Sequence, residues 1–209
     1  MPQRYQIINH MLRTLGEGGV SYDQSLHPTV QLCNNTLDTV NNEVQGRGWW
    51  FNKEFGLTLV PDNRGEVIVP SEALDLKITG VQNMRPQDKV RLVRRDNRIY
   101  DSAEHTFTLN SNVTVDVTML IAIDDLPSVA QTYIQHKAAE TIFLDEDGDV
   151  QKLSKLEQRS AYAWQALQAA SLKNIAVNAL DGSTAINLNG GWRPAGKGRN
   201  PNFIGGRIR

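Results

Sequence analysis

The sequence predicts an α+β fold: a four-helix bundle with an inserted antiparallel β lobe and an extended C-terminal arm. Two helical segments precede residue 48 and two follow residue 125, because apolar side chains recur there at helical spacing. The stretch between them consists of short alternating runs separated by polar turns, which is typical of antiparallel strands. The chain beyond residue 180 is rich in glycine and basic residues and holds too few apolar groups for a core.

The first two helices are predicted from their apolar stripes and from the residues that end them. The first spans Arg4 to Leu15 and ends where glycines begin, since glycine accepts the left-handed cap conformation without steric cost. The second begins near Ser25 to Pro28, with Ser25 as N-cap and Pro28 in the first turn. It carries the single cysteine, Cys33, on its apolar stripe, which predicts a buried thiol and excludes an intramolecular disulfide.

Strands are predicted throughout the insertion, because period-two alternation places successive side chains on opposite faces of a sheet. Polar turns separate the strands, most clearly at Pro61–Gly65 and Arg95–Arg98. The predicted strands are Phe55–Val60, Glu66–Val69, Leu74–Thr79, Val90–Val93, Ile99–Tyr100, Thr106–Leu109 and Val113–Ile121.

Helical spacing returns after Pro127. We expect a third helix to about Leu144 and a long fourth helix from Val150 to about Leu180, with the acidic run Asp145–Asp149 between them. That run resembles a calcium loop, but the glycine and glutamate that an EF-hand requires are missing at its sixth and twelfth positions. A helix–helix turn with Asp149 as N-cap accounts for it better.

These segments predict three parts of the chain. Residues 1–48 and 125–180 form a helical bundle domain, since no helix can bury its stripe alone. Residues 49–124 form the inserted β domain, and residues 181–209 form the extended basic arm.

The arm is predicted to bind a partner. It holds five lysines and arginines against Asp181 alone, although the whole chain has a formal net charge of −1. Such charge asymmetry is typical of an interaction tail, and the scattered apolar groups of the arm are more than a solubilising linker needs. Trp49 and Trp50 stand where helix gives way to strand, so one is expected in the core and one at an interface, or both in the core. The predicted partner-contact residues are Trp49, Trp50, Trp192, Arg193, Lys197, Arg199, Phe203, Arg207 and Arg209.

No catalytic residue, metal ligand or cofactor site is predicted, and the chain is expected not to be an enzyme. The histidines lack metalloprotease spacing, and no phosphate-binding glycine loop or nucleophile elbow is present. His136 and Glu140 share a helix face, for which a surface hydrogen bond or weak ion pair is the expectation. No secretory signal or membrane-spanning run is expected.

One stretch resembles a known family. The residues from Arg47 to Glu54, Arg-Gly-Trp-Trp-Phe-Asn-Lys-Glu, are similar to a segment of the tail tubular protein A family of short-tailed phages. Gly56–Leu59 and Pro61–Asp62 continue this similarity, which is specific over residues 45–62. The resemblance covers roughly residues 5–180 and is looser at Leu15–Glu17, Arg98–Asp101 and Asp125–Pro127.

The resemblance implies a helix bundle with a β lobe in a podovirus-type virion tail, assembled in the host cytoplasm. It implies a head-to-tail adaptor that forms a ring, with twelve copies expected, between the portal protein and a tail nozzle protein of the tail tubular protein B type. Tail fibres are further candidate partners. Genomic DNA would pass through the ring during genome ejection, and no membrane partner is implied.

Two alternatives remain open from the residues. A tail hydrolase that degrades polysaccharide would need two carboxylates across a cleft, and Asp124 with Asp125 or Glu66 with Glu72 could converge. A DNA-binding module would use the basic arm, although the sequence pI of about 6.4 lacks the strongly basic character expected of such a protein.

Overall fold

Helices and antiparallel strands together build the protein, which confirms the predicted α+β class. The structure is a computed structural model that describes residues 3–20, 27–82, 88–147 and 149–180, without the side chains of 88–89 and 175–180. The helices are α1 (Gln3–Leu15), α2 (Pro28–Gly46), α3 (Ser128–Glu146) and α4 (Val150–Leu180). The strands are β1 (Lys53–Leu59), β2 (Ala73–Val81), β3 (Leu92–Arg95), β4 (Arg98–Asp101) and β5 (Val113–Met119).

The helices share one hydrophobic core. α1, α2 and α3 pack against one another, and α4 adds Ala163 and Leu167. Cys33 lies fully inside this core as predicted, and burial raises the pKa of its thiol to about 11. The arrangement of the four helices as a bundle stays a prediction. Large side chains buried in this core include Ile7, Ile8, Met11, Leu12, Leu37, Ile134, Ile142 and Leu167.

The strands enclose a second core. β5 is the central strand of a three-stranded antiparallel sheet in the order β1-β5-β2, and β3 and β4 form a separate hairpin. Alternate residues of β5 are buried, as expected when one face of a sheet covers a core. This second core contains Leu59, Val67, Val69, Ala73, Leu92, Ile99, Val113, Val115 and Val117.

Two predicted strands form no continuous ladder. Glu66–Val69 and Thr106–Leu109 make isolated antiparallel bridges only. Pro61 and Pro70 bracket the first of these, and proline cannot donate to a ladder. The predicted strand Val90–Val93 starts later than expected, because the hairpin ladder begins at Leu92, directly opposite Asp101.

The turn between α3 and α4 forms as predicted. Oδ1 of Asp149 accepts hydrogen bonds from the backbone N–H groups of Gln151 (2.8 Å) and Lys152 (3.1 Å), which confirms Asp149 as N-cap. Apolar spacing predicts both Leu156 and Tyr162 on the buried face of α4. Leu156 is buried, but the expectation is wrong at Tyr162, which is 72 % exposed, because Ser160 and Ala163 face inward in its place. The expected N-cap at Ser25 is wrong, because α2 begins at Pro28 with His27 at the N-cap position, and Ser25 itself lies outside the described residues.

The chain divides into two compact units, Met1–Ser171 and Leu172–Arg209. The predicted division into a helical domain, a β domain and an arm stays a prediction. Of the helices that the structure describes, none combines the length and apolar character needed to cross a membrane.

Two imidazole rings meet between α1 and α3. The rings of His10 and His136 lie edge to face, with centroids 5.7 Å apart. Nε2 of His10 and Nδ1 of His136 are buried and have no hydrogen-bond partner among the described residues. Burial lowers the pKa of both imidazoles below 6.5, and the nearby guanidinium of Arg159 lowers it further. Both rings are therefore neutral in the folded protein at neutral pH.

Acidification is expected to destabilise the fold through this pair. The unfolded histidines bind protons as the pH falls below 6.5, whereas the folded ones resist protonation, so this contribution to stability is lost on the acid side. Replacing His136→Gln should reduce the change in unfolding free energy between about pH 7.5 and about pH 5.5. Urea denaturation at each pH measures it. The exposed His27 supplies the control, since His27→Gln should keep the wild-type pH dependence, and an equal response of both variants would contradict the assignment.

Candidate functional site: the junction between helix α2 and strand β1

The chain passes from helix to sheet through one tight turn. Gly48 has a positive φ of 71°, a backbone conformation that L side chains rarely adopt. A Cβ at this position would also collide with the Lys53 side chain and lie 3.1 Å from Oγ1 of Thr118. The backbone angle is therefore the main reason for glycine here, since the flexible end of the Lys53 side chain could move away from a Cβ.

The Asn52 side chain joins three chain segments at this turn. Its Oδ1 accepts a hydrogen bond from the backbone N–H of Trp49 at 2.7 Å. Its Nδ2 donates to the carbonyl of Gln45 (2.9 Å) at the end of α2 and to that of Met119 (3.0 Å) at the end of β5. The Met119 N–H returns a bond to the Asn52 carbonyl at 2.8 Å, so both ends of the inserted segment are fixed together.

Gln45 makes a second connection of the same kind. Its side chain is fully buried, and it pairs with the backbone of Ile121 through two hydrogen bonds of 2.8 Å, one donated and one accepted. The remaining N–H of the amide donates to Oδ1 of Asn41 at 2.9 Å. A buried amide whose donors and acceptor are all satisfied costs little to bury and is expensive to disrupt.

Trp49 lies at the centre of an aromatic cluster. Its indole Nε1 donates to the Val44 carbonyl at 2.7 Å, and its ring meets the Trp164 ring edge to face at 5.4 Å. The Tyr133 ring also packs on Trp164, with centroids 5.0 Å apart, and the guanidinium of Arg47 lies 4.8 Å from the Trp164 ring centroid. The cluster therefore connects α2, α3 and α4 beside the junction.

Two of the predicted contact residues fall in this cluster. Trp49 is only 8 % exposed and belongs to the helical core, whereas Trp50 is half-buried and packs against that core from outside. Phe51 lies 5.0 Å from Trp50 and is half-buried as well. A partner contact at either tryptophan stays a prediction. The other predicted contact residues, Trp192, Arg193, Lys197, Arg199, Phe203, Arg207 and Arg209, lie outside the described residues.

A polar contact that the sequence does not reveal ties α3 to α4. The Glu140 carboxylate accepts a short hydrogen bond from the Ser160 hydroxyl and pairs with Lys137 at 2.6 Å. The predicted partner of Glu140, His136, instead faces His10. Ion pairing with Glu140 raises the pKa of Lys137 despite its partial burial.

Two of the four carboxylates considered for hydrolysis, Glu66 and Asp124, have structural partners. Glu66 forms an ion pair with Arg98 at 3.0 Å, and Asp124 accepts a hydrogen bond from the backbone N–H of Gln3 at 2.7 Å. Within the described ranges, no three histidine, cysteine, aspartate or glutamate side chains are grouped as metal ligands would be.

The described residues form an α+β fold with two hydrophobic cores. Gln45, Gly48, Trp49 and Asn52, together called the joint, connect the helices to the sheet between them. The tail tubular protein family model matches residues 6–177, which is most of the chain. The chain therefore belongs to the tail tubular protein family, which indicates a structural protein of the phage tail and a non-enzymatic role. No curated protein matches the chain by sequence.

The hydrogen bonds of Asn52 are expected to contribute measurably to the stability of the folded protein. Asn52→Ala should lower the free energy of unfolding by about 2–4 kcal/mol, because it removes three hydrogen bonds, one from the Trp49 N–H and two to the carbonyls of Gln45 and Met119. The Gln45 carbonyl keeps a hydrogen bond from the Gly48 N–H, so the main cost falls on the other two groups. Chemical denaturation measures this loss. Asn35 is an exposed asparagine on α2, and Asn35→Ala should change stability by less than about 0.5 kcal/mol. Similar losses in both variants would show that the joint contributes nothing specific.

Proposed function

We propose that this protein is a head-to-tail adaptor that forms a ring between the portal and the tail nozzle of a podovirus-type virion. Its ring, with twelve copies expected from the resemblance to tail tubular protein A, lines the channel through which genomic DNA passes during ejection. The subunits assemble in the host cytoplasm, and tail fibres are further candidate partners. The family match over residues 6–177 is the observation that carries this proposal.

A fixed connection between the helices and the sheet suits a subunit that forms a ring. Identical subunits close into a ring only when each one presents its two contact surfaces at a constant angle. Gln45 and Asn52 cross-connect α2 with the last residues of the inserted segment through buried hydrogen bonds, which resist bending at that point.

The charge distribution agrees with DNA passage. The chain outside residues 181–209 is net acidic, and an acidic wall does not retain a passing polyanion, whereas clustered cations would bind its phosphates. The basic arm is then proposed to reach a neighbouring subunit or the portal rather than the DNA.

Assembly state is the first test. The purified protein, alone and mixed with the portal protein of the same phage, should give rings that light scattering sizes and electron microscopy images. Rings or portal-bound rings are expected. A protein that remains monomeric in the presence of portal would contradict the adaptor function.

Removal of the arm is the second test. Truncation after Leu180 should weaken association with portal or with neighbouring subunits, because it removes every predicted contact residue except Trp49 and Trp50. Light scattering and co-sedimentation with portal measure the loss. The thermal unfolding of the truncated chain serves as control, and full association of the truncated chain would show the arm to be dispensable.

A further inference from the structure

The β3–β4 hairpin presents a basic and apolar outer face. Strand alternation turns Leu92 and Ile99 into the second core, so Val93 and Arg95 lie on the opposite side. Val93 is 39 % exposed, and Arg95 is exposed beside it.

The Arg95 guanidinium is held in place without a neutralising partner. It stacks on the Tyr100 ring at 4.0 Å, and Tyr100 in turn packs on Phe107 at 4.9 Å. In the described part of the chain, Arg95 forms no ion pair, whereas its neighbours Arg91 and Arg98 pair with carboxylates at 3.0 Å. The hairpin therefore offers an ordered positive charge that costs little further entropy to bind.

A groove with the opposite charge lies among the helices. It has a volume of about 460 Å³ and is formed by the end of α1, the start of α2 and the end of α3. Glu17, Glu146 and Asp147 supply its acidic groups, and none of them forms an ion pair with another described residue. The remaining lining is Leu15, Pro28, Thr29 and Leu32.

One lining residue of this groove is an exposed apolar side chain, and two more exposed apolar residues lie close to the lining in sequence. Leu32 in its lining is 37 % exposed. Leu144 and Val150, which flank the α3–α4 turn in sequence, are 57 % and 78 % exposed. Exposed apolar groups beside unpaired charges of one sign are typical of a surface that a partner covers.

We propose that the β3–β4 hairpin of one copy binds the acidic groove of the next copy. Val93 contacts the apolar lining of the groove at Leu32, and Arg95 pairs with Glu146 and Asp147. The two surfaces belong to different parts of one chain, so the contact is heterologous, which is the kind that closes identical subunits into a ring. This inference rests on the proposed ring-forming function and names the surfaces that form the ring.

Charge and conformational order favour the β3–β4 hairpin of a second copy as the partner of the groove, over the C-terminal arm and over DNA. The C-terminal arm is also basic, but the hairpin cation is already fixed by stacking, so less conformational freedom is lost on binding. DNA would satisfy Arg95 equally well, yet it would leave the acidic, apolar groove uncovered. A second copy of the chain satisfies both surfaces at once.

Charge exchange tests the contact. Arg95→Glu alone, and Glu146→Lys with Asp147→Lys, should each weaken ring formation at least about tenfold, because like charges then face each other. All three changes in one chain should restore rings, since every hairpin again meets a groove of opposite charge. The exposed Arg64 provides the matched control, and Arg64→Glu should assemble like the wild type. Light scattering against concentration, with and without portal, measures assembly, and thermal unfolding checks that each variant is folded.

The outcomes separate this inference from the proposed function. Wild-type rings that are unaffected by Arg95→Glu would overturn the contact and leave the adaptor function standing. A wild-type protein that stays monomeric even with portal would overturn both. Loss of DNA co-sedimentation in Arg95→Glu with rings intact would assign the hairpin to nucleic acid instead. Loss of rings only on truncation after Leu180 would assign the groove to the arm, and either result would show the proposed contact to be wrong.

Discussion

The hydrogen bonds of the Asn52 side chain fix the sheet to the helices, and the arrangement of the two cores depends on them. The protein has two hydrophobic cores, one among the helices and one beneath the sheet. The strand segment leaves the helices after α2 and returns to them before α3, so its two ends must be brought together. Asn52 does this with one amide, because its Nδ2 reaches the last turn of α2 and the end of β5 simultaneously. Gln45 repeats the connection one step further along the chain at Ile121.

The neighbouring residues of the joint follow from this geometry. The amide of Asn52 can meet α2 only if the chain reverses sharply after the helix, which places Gly48 in a left-handed conformation. The same reversal turns Trp49 inward, where its indole N–H finds the free Val44 carbonyl at the end of the helix. Glycine, tryptophan and asparagine in this stretch thus serve one structure: the glycine permits the turn, the tryptophan anchors it, and the asparagine closes it.

The sequence reveals the elements of this fold better than their connections. Apolar spacing locates all four described helices, and the buried thiol of Cys33 and the N-cap at Asp149 follow from local rules. The predicted strands Glu66–Val69 and Thr106–Leu109 form isolated bridges only. Alternation of apolar and polar residues indicates an extended, half-buried chain, but it does not indicate whether a neighbouring strand pairs with it along its length. The joint itself is predicted only as a junction with two tryptophans. Asn52 belongs to the segment that resembles the tail tubular protein A family, but neither its hydrogen bonds nor those of Gln45 can be predicted, since a polar residue that bonds to distant backbone looks in sequence like any exposed amide.

Stiffness at the joint has a specific consequence for assembly under the proposed contact. If a β3–β4 hairpin binds the helical groove of the next copy, every path of contacts around the ring crosses the joint once per subunit. The rotation between neighbours then depends on the angle between sheet and helices, and a small error in that angle would accumulate until the ring failed to close. A hydrophobic contact alone is non-directional and tolerates sliding. Hydrogen bonds at 2.8–3.0 Å to defined backbone atoms do not. If the proposed ring forms, the buried amides of Gln45 and Asn52 would therefore be the part of the chain best suited to set its number of copies.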